Sequence, residues 1–253
     1  MRWIKAIIVV LSTYTRLPMP KSKWDDDAMK LAIAFLPFAG AVVGIGIWVW
    51  QVLCHYFDIS PVLFASVATI LPIMITGGIH MDGYCDTSDA LASWQEKERR
   101  LDILKDSHIG AFALIRSFIY MFTSFGVLYE LFVRGIDTGI PFLYILSRCF
   151  AAWSTMTMPN ARKNGMLAAF TSDIYRREAN GILILFSVLG LVGWLFFTFP
   201  YGIWGLVLCL PVALWYRNMA KKYFGGATGD TTGYFLQLIE LTLLIGLLIG
   251  GIL

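Results

Sequence analysis

Residues 31–53 read LAIAFLPFAGAVVGIGIWVWQVL, a run of 23 residues without a charged side chain. An α-helix rises about 1.5 Å per residue, so about 20 apolar residues cross the roughly 30 Å hydrocarbon core of a bilayer. This stretch therefore predicts a membrane-spanning helix, and it sets the structural class of the chain.

Six further segments are similarly apolar, at residues 61–80, 109–133, 139–158, 179–199, 201–216 and 233–253. Together with residues 31–53 they predict an all-α, polytopic integral membrane bundle of about seven transmembrane helices. We find no internal repeat or low-complexity tract, so residues 1–253 are interpreted as a single membrane-embedded domain.

The composition agrees with this class. Hydrophobic residues make up 58% of the chain and charged residues only 15%, whereas soluble domains carry roughly 25% charged residues. The mean hydropathy is +0.68. The net charge of +3 and the lack of a basic arm argue against a nucleic-acid partner. The four cysteines form no CxxC pair, which argues against a disulfide framework or a structural zinc site.

The distribution of basic residues predicts the orientation. Of the 20 lysines and arginines, 17 fall on one side of the seven-span topology, together with the amino terminus. Basic loops mark the cytoplasmic side, so we expect a cytoplasmic amino terminus. Residues 1–17 contain an apolar run too short to span, which predicts a short interfacial or buried helix that ends near Pro18 and Pro20.

The segment 76–90, TGGIHMDGYCDTSDA, carries the clearest chemical pattern. Asp82, Asp86 and Asp89 share one helical face within about 60°. Three carboxylates this close need a cation, and hard oxygen ligands favour Mg²⁺, which would leave positions for phosphate oxygens. His80 precedes them and is either a phosphate-binding or proton-transferring group or an ordinary interface residue.

A second pair, Asp102 and Asp106, also has the i, i+4 spacing of one helical face. These carboxylates are read either as substrate contacts, together with His108, or as solvated residues. In the second case Asp106 would cap the helix that begins near Ile109.

Two arginines, Arg116 and Arg148, fall inside predicted spans. A guanidinium in a span is costly unless it has a partner, so we expect both to face aspartates, an anionic substrate or Glu240 of the last span. A glycine-rich stretch at 225–233, GGATGDTTG, precedes that span, and its backbone N–H groups are suited to a phosphate.

Several blocks together resemble the cobalamin synthase family, the adenosylcobinamide-GDP ribazoletransferases. The resemblance covers nearly the whole chain, with small departures at His108 and Asn160. It rests on Thr15-Arg16-Leu17-Pro18, on Gly77, Gly78, His80, Asp82, Gly83, Asp86, Asp89 and Ala90, on Lys105-Asp106-Ser107 with Ile109-Gly110, on Ser147-Arg148, on residues 159–162, and on Gly225, Gly226, Thr228, Gly229 and Asp230.

The resemblance implies a Mg²⁺-dependent transferase of late vitamin B12 synthesis in the bacterial cytoplasmic (inner) membrane, with its active site facing the cytoplasm. It would join adenosylcobinamide-GDP to α-ribazole or α-ribazole 5′-phosphate and release GMP. A homo-oligomer, or contact with other late corrinoid-pathway enzymes, is left open. Asp82 and His80 are the candidate catalytic residues, and Asp82, Asp86 and Asp89 the candidate metal ligands. The candidate substrate-binding residues are Asp102, Asp106, His108, Arg116, Arg148, Arg162, Gly225, Gly226, Thr228 and Asp230.

Two other functions use related features. CDP-alcohol phosphotransferases and intramembrane prenyltransferases also bind diphosphates through aspartates and Mg²⁺, but no Ala-Arg pair follows Asp82-Gly83 in the expected place, and no Asn-Asp pair precedes Asp82. An ion-coupled transporter would place its polar residues near the bilayer midplane, whereas the polar residues here gather at one side.

Overall fold

A computed structural model of the protein describes residues 2–20, 26–162, 165–171 and 175–253. Lys21, Lys23 and Lys163, which contribute to the predicted orientation, lie outside these ranges. The described residues contain no β-strand, so the all-α prediction is confirmed. The helices are α1 (Arg2–Tyr14), α2 (Asp26–Ala32), α3 (Leu36–Tyr56), α4 (Pro61–Thr76), α5 (Ile79–Ala92), α6 (Lys97–Ile103), α7 (Ala111–Val133), α8 (Ile140–Thr157), α9 (Met166–Thr171), α10 (Arg176–Thr198), α11 (Ile203–Phe224) and α12 (Gly229–Ile252).

Each predicted span corresponds to at least one helix, and the predicted number of about seven spans stays a prediction. Among the described residues, five segments are long and apolar enough to cross a membrane, at 26–56 and in α7, α10, α11 and α12. A sixth is obtained if the bent pair α4 and α5 forms one span. The segment at 139–158 is the helix α8, which contains the buried Arg148 and is not among these candidate spans. By length and composition, the described residues therefore contain five or six candidate spans.

A sharp break separates α4 from α5. Gly77 and Gly78 both have left-handed backbone angles, with φ of 67° and 81°, a conformation that favours glycine. The two helices are bent by 95° at this point. The predicted span at 61–80 is therefore too long, because α4 ends at Thr76 and His80 belongs to α5. The break turns the aspartate-rich helix away from the direction of α4.

The break also contacts the segment that follows α1, which contains the block Thr15-Arg16-Leu17-Pro18. The backbone N–H of Arg16 donates to the carbonyl of Ile75 at 2.7 Å. A Cβ atom on Gly77 would stand 2.2 Å from Nε of Arg16. The segment that follows α1 is therefore held against the end of α4 and the break before α5.

The last helix, α12, forms the centre of the bundle. It packs against α5, α7, α8 and α11, while α8 packs in addition against α3 and α10. Contact with α11 is close because Gly246 meets the backbone of Gly205, where a Cβ atom would stand 2.3 Å from the Cα of Gly205. The helix α11 extends to Phe224, well beyond the predicted end at residue 216, and it carries Lys221 and Lys222 in its last turn.

The first helix is amphipathic, as the sequence predicts. Its buried face is formed by Ala6, Val9, Val10 and Leu11, and α1 packs against α2 and α3. Trp3 and Ile4 are exposed on the other face. An apolar residue pair beside basic side chains is typical of a helix at a membrane interface, and that position stays a prediction.

Candidate functional site

The helix α5 presents its aspartates on one side and packs with the other. Gly83, Tyr84, Thr87 and Ser88 are buried, whereas Asp82 is exposed and Asp86 and Asp89 are half-buried. The shared face that the spacing predicts is therefore present.

Both carboxylate oxygens of Asp89 accept hydrogen bonds from the neighbouring helix α7. Its Oδ2 accepts a hydrogen bond from the backbone N–H of Gly110 at 2.6 Å, and its Oδ1 accepts one from Ala113 at 2.8 Å. These donors belong to the start of α7, where a carboxylate satisfies free N–H groups and faces the positive end of the helix. The capping role that the sequence offers to Asp106 therefore belongs to Asp89.

Asp230 joins the carboxylates of α5 from the first turn of α12. The two helices are close here, since a Cβ atom on Gly83 would stand 2.7 Å from the carbonyl oxygen of Asp230. Asp82, Asp230 and Asp89 are all near enough for their negative charges to act on Asp86. The structure thus brings together two segments that lie about 150 residues apart in the sequence.

The start of α12 is fixed by a capping box. The Thr228 hydroxyl accepts from the backbone N–H of Thr231 at 3.0 Å, and the Thr231 hydroxyl accepts from the N–H of Thr228 at 2.9 Å. Thr228 therefore has a structural role, because its side chain caps the helix that carries Asp230. Its predicted contact with the substrate stays a prediction.

The glycine-rich turn is bound to the segment that follows α8. The N–H of Ala227 donates to the carbonyl of Pro159, and the N–H of Ala161 donates to the carbonyl of Ala227, each at 2.9 Å. Gly226 leaves room for this contact, since a Cβ atom there would stand 2.1 Å from the oxygen of Pro159. Gly225 ends α11 with a left-handed φ of 81°. The glycine-rich turn and the segment at 159–162, which are far apart in the sequence, are therefore joined into one unit by backbone hydrogen bonds.

Arg162 extends from this unit toward Asp230. Its Nη1 lies 4.0 Å from Oδ2 of Asp230, and its Nη2 donates to the carbonyl of Leu101 at 2.5 Å. Its Nε is buried and has no hydrogen-bond partner among the described residues. Arg162 therefore has donor capacity to spare beside the carboxylates.

A cleft of about 210 Å³ opens next to these groups. Its walls include Tyr14, Asn160, Arg162, Thr228 and Asp230. A second cleft of about 200 Å³ adjoins it through Asn160 and reaches Thr155 and Arg176. The amide of Asn160 donates to the hydroxyl of Thr171 at 2.8 Å. Both clefts lie at the end of the bundle that holds Asp230.

A larger cavity, of about 560 Å³, lies elsewhere, against His55 and Asp137 at the far end of α3. Its walls are mostly apolar, and it has neither an aspartate cluster nor the glycine-rich turn. It is therefore a poor candidate for phosphate chemistry in spite of its size.

His80 lies beneath the cleft. It is only 4% exposed, and its ring stacks on Tyr14 with centroids 5.6 Å apart and planes 13° apart. Its Nε2 is buried and has no hydrogen-bond partner among the described residues. Tyr14 itself lines the cleft. Tyr14 is not among the candidate site residues predicted from the sequence, although its position directly before the Thr15-Arg16-Leu17-Pro18 block could have identified it.

Arg148 is paired inside the bundle. Its Nη1 forms a buried ion pair with Oε1 of Glu240 and donates to the hydroxyl of Ser147 at 2.8 Å. Arg148 is 1% exposed and Glu240 is 3% exposed. The prediction that Glu240 is the partner of a buried arginine is confirmed, and Arg148 does not line either of the clefts.

Arg116 lies on the side of α7 that faces α5. It is half-buried, and its charge acts on Tyr84 of α5 and Tyr234 of α12. The carbonyl of Arg116 accepts a hydrogen bond from the Tyr84 hydroxyl at 3.5 Å. This places the guanidinium among aromatic rings near α5, and its predicted substrate contact stays a prediction.

The pair Asp102 and Asp106 is not arranged as predicted. The helix α6 ends at Ile103, so the two residues do not share a helical face. Asp102 pairs with Lys105 at 3.5 Å, and Asp106 accepts from Nδ1 and the backbone N–H of His108 at 2.7 and 3.0 Å. Those hydrogen bonds hold the pKa of Asp106 below its usual range. These exposed residues lie outside the cleft as the structure has it.

The described residues contain no group of three or more histidine, cysteine or acidic side chains placed as a ready-made metal site. The donor chemistry still fits Mg²⁺, because Asp82, Asp86 and Asp230 offer hard carboxylate oxygens. Asp82 and Asp86 have no ion-pair partner among the described residues, and both oxygens of Asp89 accept bonds from α7.

Comparison with known proteins identifies the family of the chain. Residues 6–248 match the model of the cobalamin-5-phosphate synthase family. Proteins named adenosylcobinamide-GDP ribazoletransferase match almost end to end. That of Lachnoclostridium phytofermentans is 36% identical over 95% of this chain and 92% of its own length. The one of Pseudomonas entomophila is 33% identical over 97% of both chains. No solved structure matches. The chain belongs to the cobalamin-5-phosphate synthase family.

Proposed function

We propose that the protein transfers the cobinamide phosphate of adenosylcobinamide-GDP to α-ribazole or α-ribazole 5′-phosphate. This is the activity named for its relatives in the comparison. The observation that carries the proposal is the meeting of Asp82 and Asp86 on α5 with Asp230 on α12, beside the free donors of Arg162. Carboxylates and a guanidinium at one cleft are suited to a diphosphate and a divalent cation.

The reaction exchanges one bond to phosphorus for another. A hydroxyl oxygen of ribazole bonds to the phosphorus that carries cobinamide, the bond from that phosphorus to the GMP oxygen breaks, and the hydroxyl proton leaves. Bound Mg²⁺ would supply charge neutralisation for the diphosphate and the departing GMP. The residues that would hold it are Asp82, Asp86 and Asp230.

Phosphate positioning falls to the groups around the cleft. Arg162 would bind phosphate oxygens through the nitrogen atoms that Leu101 and Asp230 leave free. The start of α12 would add the favourable end of a helix dipole. The hydrogen bonds of Ala227 with Pro159 and with Ala161 hold the two segments together, so that both would reach the same phosphate.

Asp82 is better placed than His80 to accept the proton of the ribazole hydroxyl group. Asp82 is the exposed carboxylate of α5, whereas His80 is enclosed beneath Tyr14. A general base must reach the proton that it removes, directly or through one water molecule. We therefore assign His80 a positioning role, in which its ring supports Tyr14 at the wall of the cleft.

The test is GMP release by detergent-purified protein supplied with adenosylcobinamide-GDP, α-ribazole and Mg²⁺, with one sample lacking ribazole and one containing EDTA. We expect GMP and a cobalamin product only when ribazole and the metal are both present. GMP release without ribazole would indicate hydrolysis instead of transfer. Folded protein that releases CMP from a CDP-alcohol, or pyrophosphate from a prenyl diphosphate, would replace the proposal with one of the alternative functions.

The orientation is part of the same proposal, with the cleft on the cytoplasmic side of the bacterial inner membrane. It is supported by the basic residues: in the seven-span topology predicted from the sequence, in which α8 also crosses the membrane, 17 of the 20 share the side of the amino terminus. Reporter fusions after Arg134 and after Lys222 test it. We expect periplasmic reporter activity from the first and cytoplasmic activity from the second, and the opposite pattern would invert the topology.

A further inference from the structure

A lateral groove runs between α8 and α11, on the outside of the bundle. Its volume is about 390 Å³. Phe150 and Trp153 of α8, Leu210 and Leu214 of α11, and Phe235 of α12 form apolar walls. Leu210 and Leu214 are 61% and 65% exposed, so none of the described residues covers this side of α11. The groove is therefore open to the hydrocarbon that surrounds a spanning helix.

One end of the groove is polar. Arg217 lies there together with the hydroxyl-bearing residues Ser154 and Thr157. The helix α8 ends at this level, at Thr157, whereas α11 continues to Phe224 before the turn that is hydrogen-bonded to Pro159. Seven residues of helix separate Arg217 from Leu210, so the apolar part extends about 10 Å from the polar end.

Arg217 carries a charge with no protein partner. It is exposed, and it forms no ion pair or hydrogen bond with any of the described residues. An exposed arginine near the end of an apolar groove can extend its guanidinium to the lipid headgroups while its stem lies along apolar surface. A guanidinium binds phosphate through paired hydrogen bonds. The Ser154 and Thr157 hydroxyl groups already donate to the sulfur of Met158 and the carbonyl of Trp153, so Arg217 is the group that would bind the phosphate.

We propose that this groove is a binding site for one anionic phospholipid. An acyl chain lies against Phe150, Leu210 and Phe235, and the phosphate is held by Arg217 at the polar end. Charge complementarity selects an anionic lipid over a zwitterionic one, because a zwitterionic headgroup brings its own cation next to its phosphate. This site is separate from the diphosphate cleft, and it does not depend on the proposed reaction.

The site has a consequence for the loops that form the cleft. Met158 lines the groove and immediately precedes the segment that pairs with Ala227. A lipid bound there packs against the end of α8 and holds that segment in place. We expect the lipid to stabilise the cytoplasmic end of the bundle as well as the groove.

Thermal unfolding of the full-length protein in a neutral detergent tests the proposal. Phosphatidylglycerol, phosphatidylcholine with the same acyl chains, and soluble glycerol phosphate are added separately. At about ten times the dissociation constant, phosphatidylglycerol is expected to raise Tm by about 3 to 6 °C relative to phosphatidylcholine. Glycerol phosphate, which has the headgroup chemistry without the chains, is expected to give no shift.

Variants separate this groove from the general positive charge of the cytoplasmic side. Arg217→Gln is expected to abolish the phosphatidylglycerol shift, while Arg177→Gln, an exposed arginine on α10, keeps it. Ala213→Phe fills the groove and leaves Arg217 in place, and we expect this variant to lose the phosphatidylglycerol shift too. It keeps the proposal testable if Arg217→Gln folds poorly. A full shift in Arg217→Gln, an equal shift with phosphatidylcholine, or the same shift with glycerol phosphate would overturn the proposal.

Discussion

Among the carboxylates of α5, Asp82 is exposed, and its charge acts on Asp230, the aspartate that lines the cleft; Asp86 lies one turn further along the helix. Because the Asp82 side chain is exposed, replacing it changes little packing, and a loss of activity in its variants reports on the reaction. The aspartates differ in their surroundings although their spacing in the sequence is regular, and each therefore has its own expected phenotype.

Asp82→Asn removes a metal-binding charge and the proposed proton acceptor. We expect GMP release to fall by about 100-fold or more, with a higher Mg²⁺ requirement. Asp58→Asn is the matched control. Asp58 lies just after the end of α3, away from the aspartates of α5, and it has a left-handed conformation that asparagine tolerates. Near-normal turnover and metal dependence in Asp82→Asn would remove Asp82 from the site.

Asp89→Asn distinguishes a cap from a metal ligand. Asparagine can still accept one of the two hydrogen bonds from Gly110 and Ala113 but loses the charge at the helix end. We expect a loss of about 1 to 2 kcal/mol in the free energy of unfolding, with an apparent Mg²⁺ affinity within about threefold of the wild type. A titration in which the Mg²⁺ requirement rises more than about tenfold would make Asp89 a ligand.

At the scale of helices, the decisive contact is the crossing of α5 and α12. Gly83 meets the backbone of Asp230, and Gly233 of α12 lies close to the backbone of His80. The absence of side chains on both sides lets the helices approach and brings Asp230 to Asp82 and Asp86. The resemblance includes Gly83, but nothing in the local sequence indicates which helix it contacts.

Gly83→Ala tests this crossing. Its Cβ atom would stand 2.7 Å from the oxygen of Asp230, so the helices must separate. We expect activity to fall by about tenfold and stability by about 1 to 3 kcal/mol, as for an overpacked core. Gly126→Ala in α7 is the control, since nothing lies within 4 Å of its added methyl group and alanine favours a helix. Wild-type activity in Gly83→Ala would mean that this separation does not limit the reaction.

At the scale of the whole molecule, the buried pair of Arg148 and Glu240 joins α8 to the central helix α12. Both side chains are almost completely enclosed, so each compensates the charge of the other. Removing one partner leaves a buried charge, whereas removing both leaves an apolar contact.

We expect Glu240→Gln or Arg148→Met alone to cost about 3 to 5 kcal/mol of stability, and the double change to Met at both positions to cost much less. Thermal unfolding in detergent measures the stability, and GMP release measures activity in the same preparations. If the double variant is stable yet inactive, Arg148 acts on the substrate after all.

The sequence by itself determined the structural class, the helical segments and most of the residues that gather at one end. A charge-free run such as residues 31–53 has few alternatives to a spanning helix, and the i, i+4, i+7 spacing of Asp82, Asp86 and Asp89 fixes a shared face on any helix. Hydropathy alone did not show the bend at Gly77 and Gly78, which separates α5 from the predicted span at 61–80.

Only the tertiary structure decided what each aspartate faces. It directed Asp89 to the start of α7, joined Asp230 to Asp82 and Asp86, and enclosed Arg148 with Glu240. The physical reason is that helical periodicity sets which residues share a face, whereas the neighbour of that face depends on close contacts between segments far apart in the chain, such as Gly83 with Asp230.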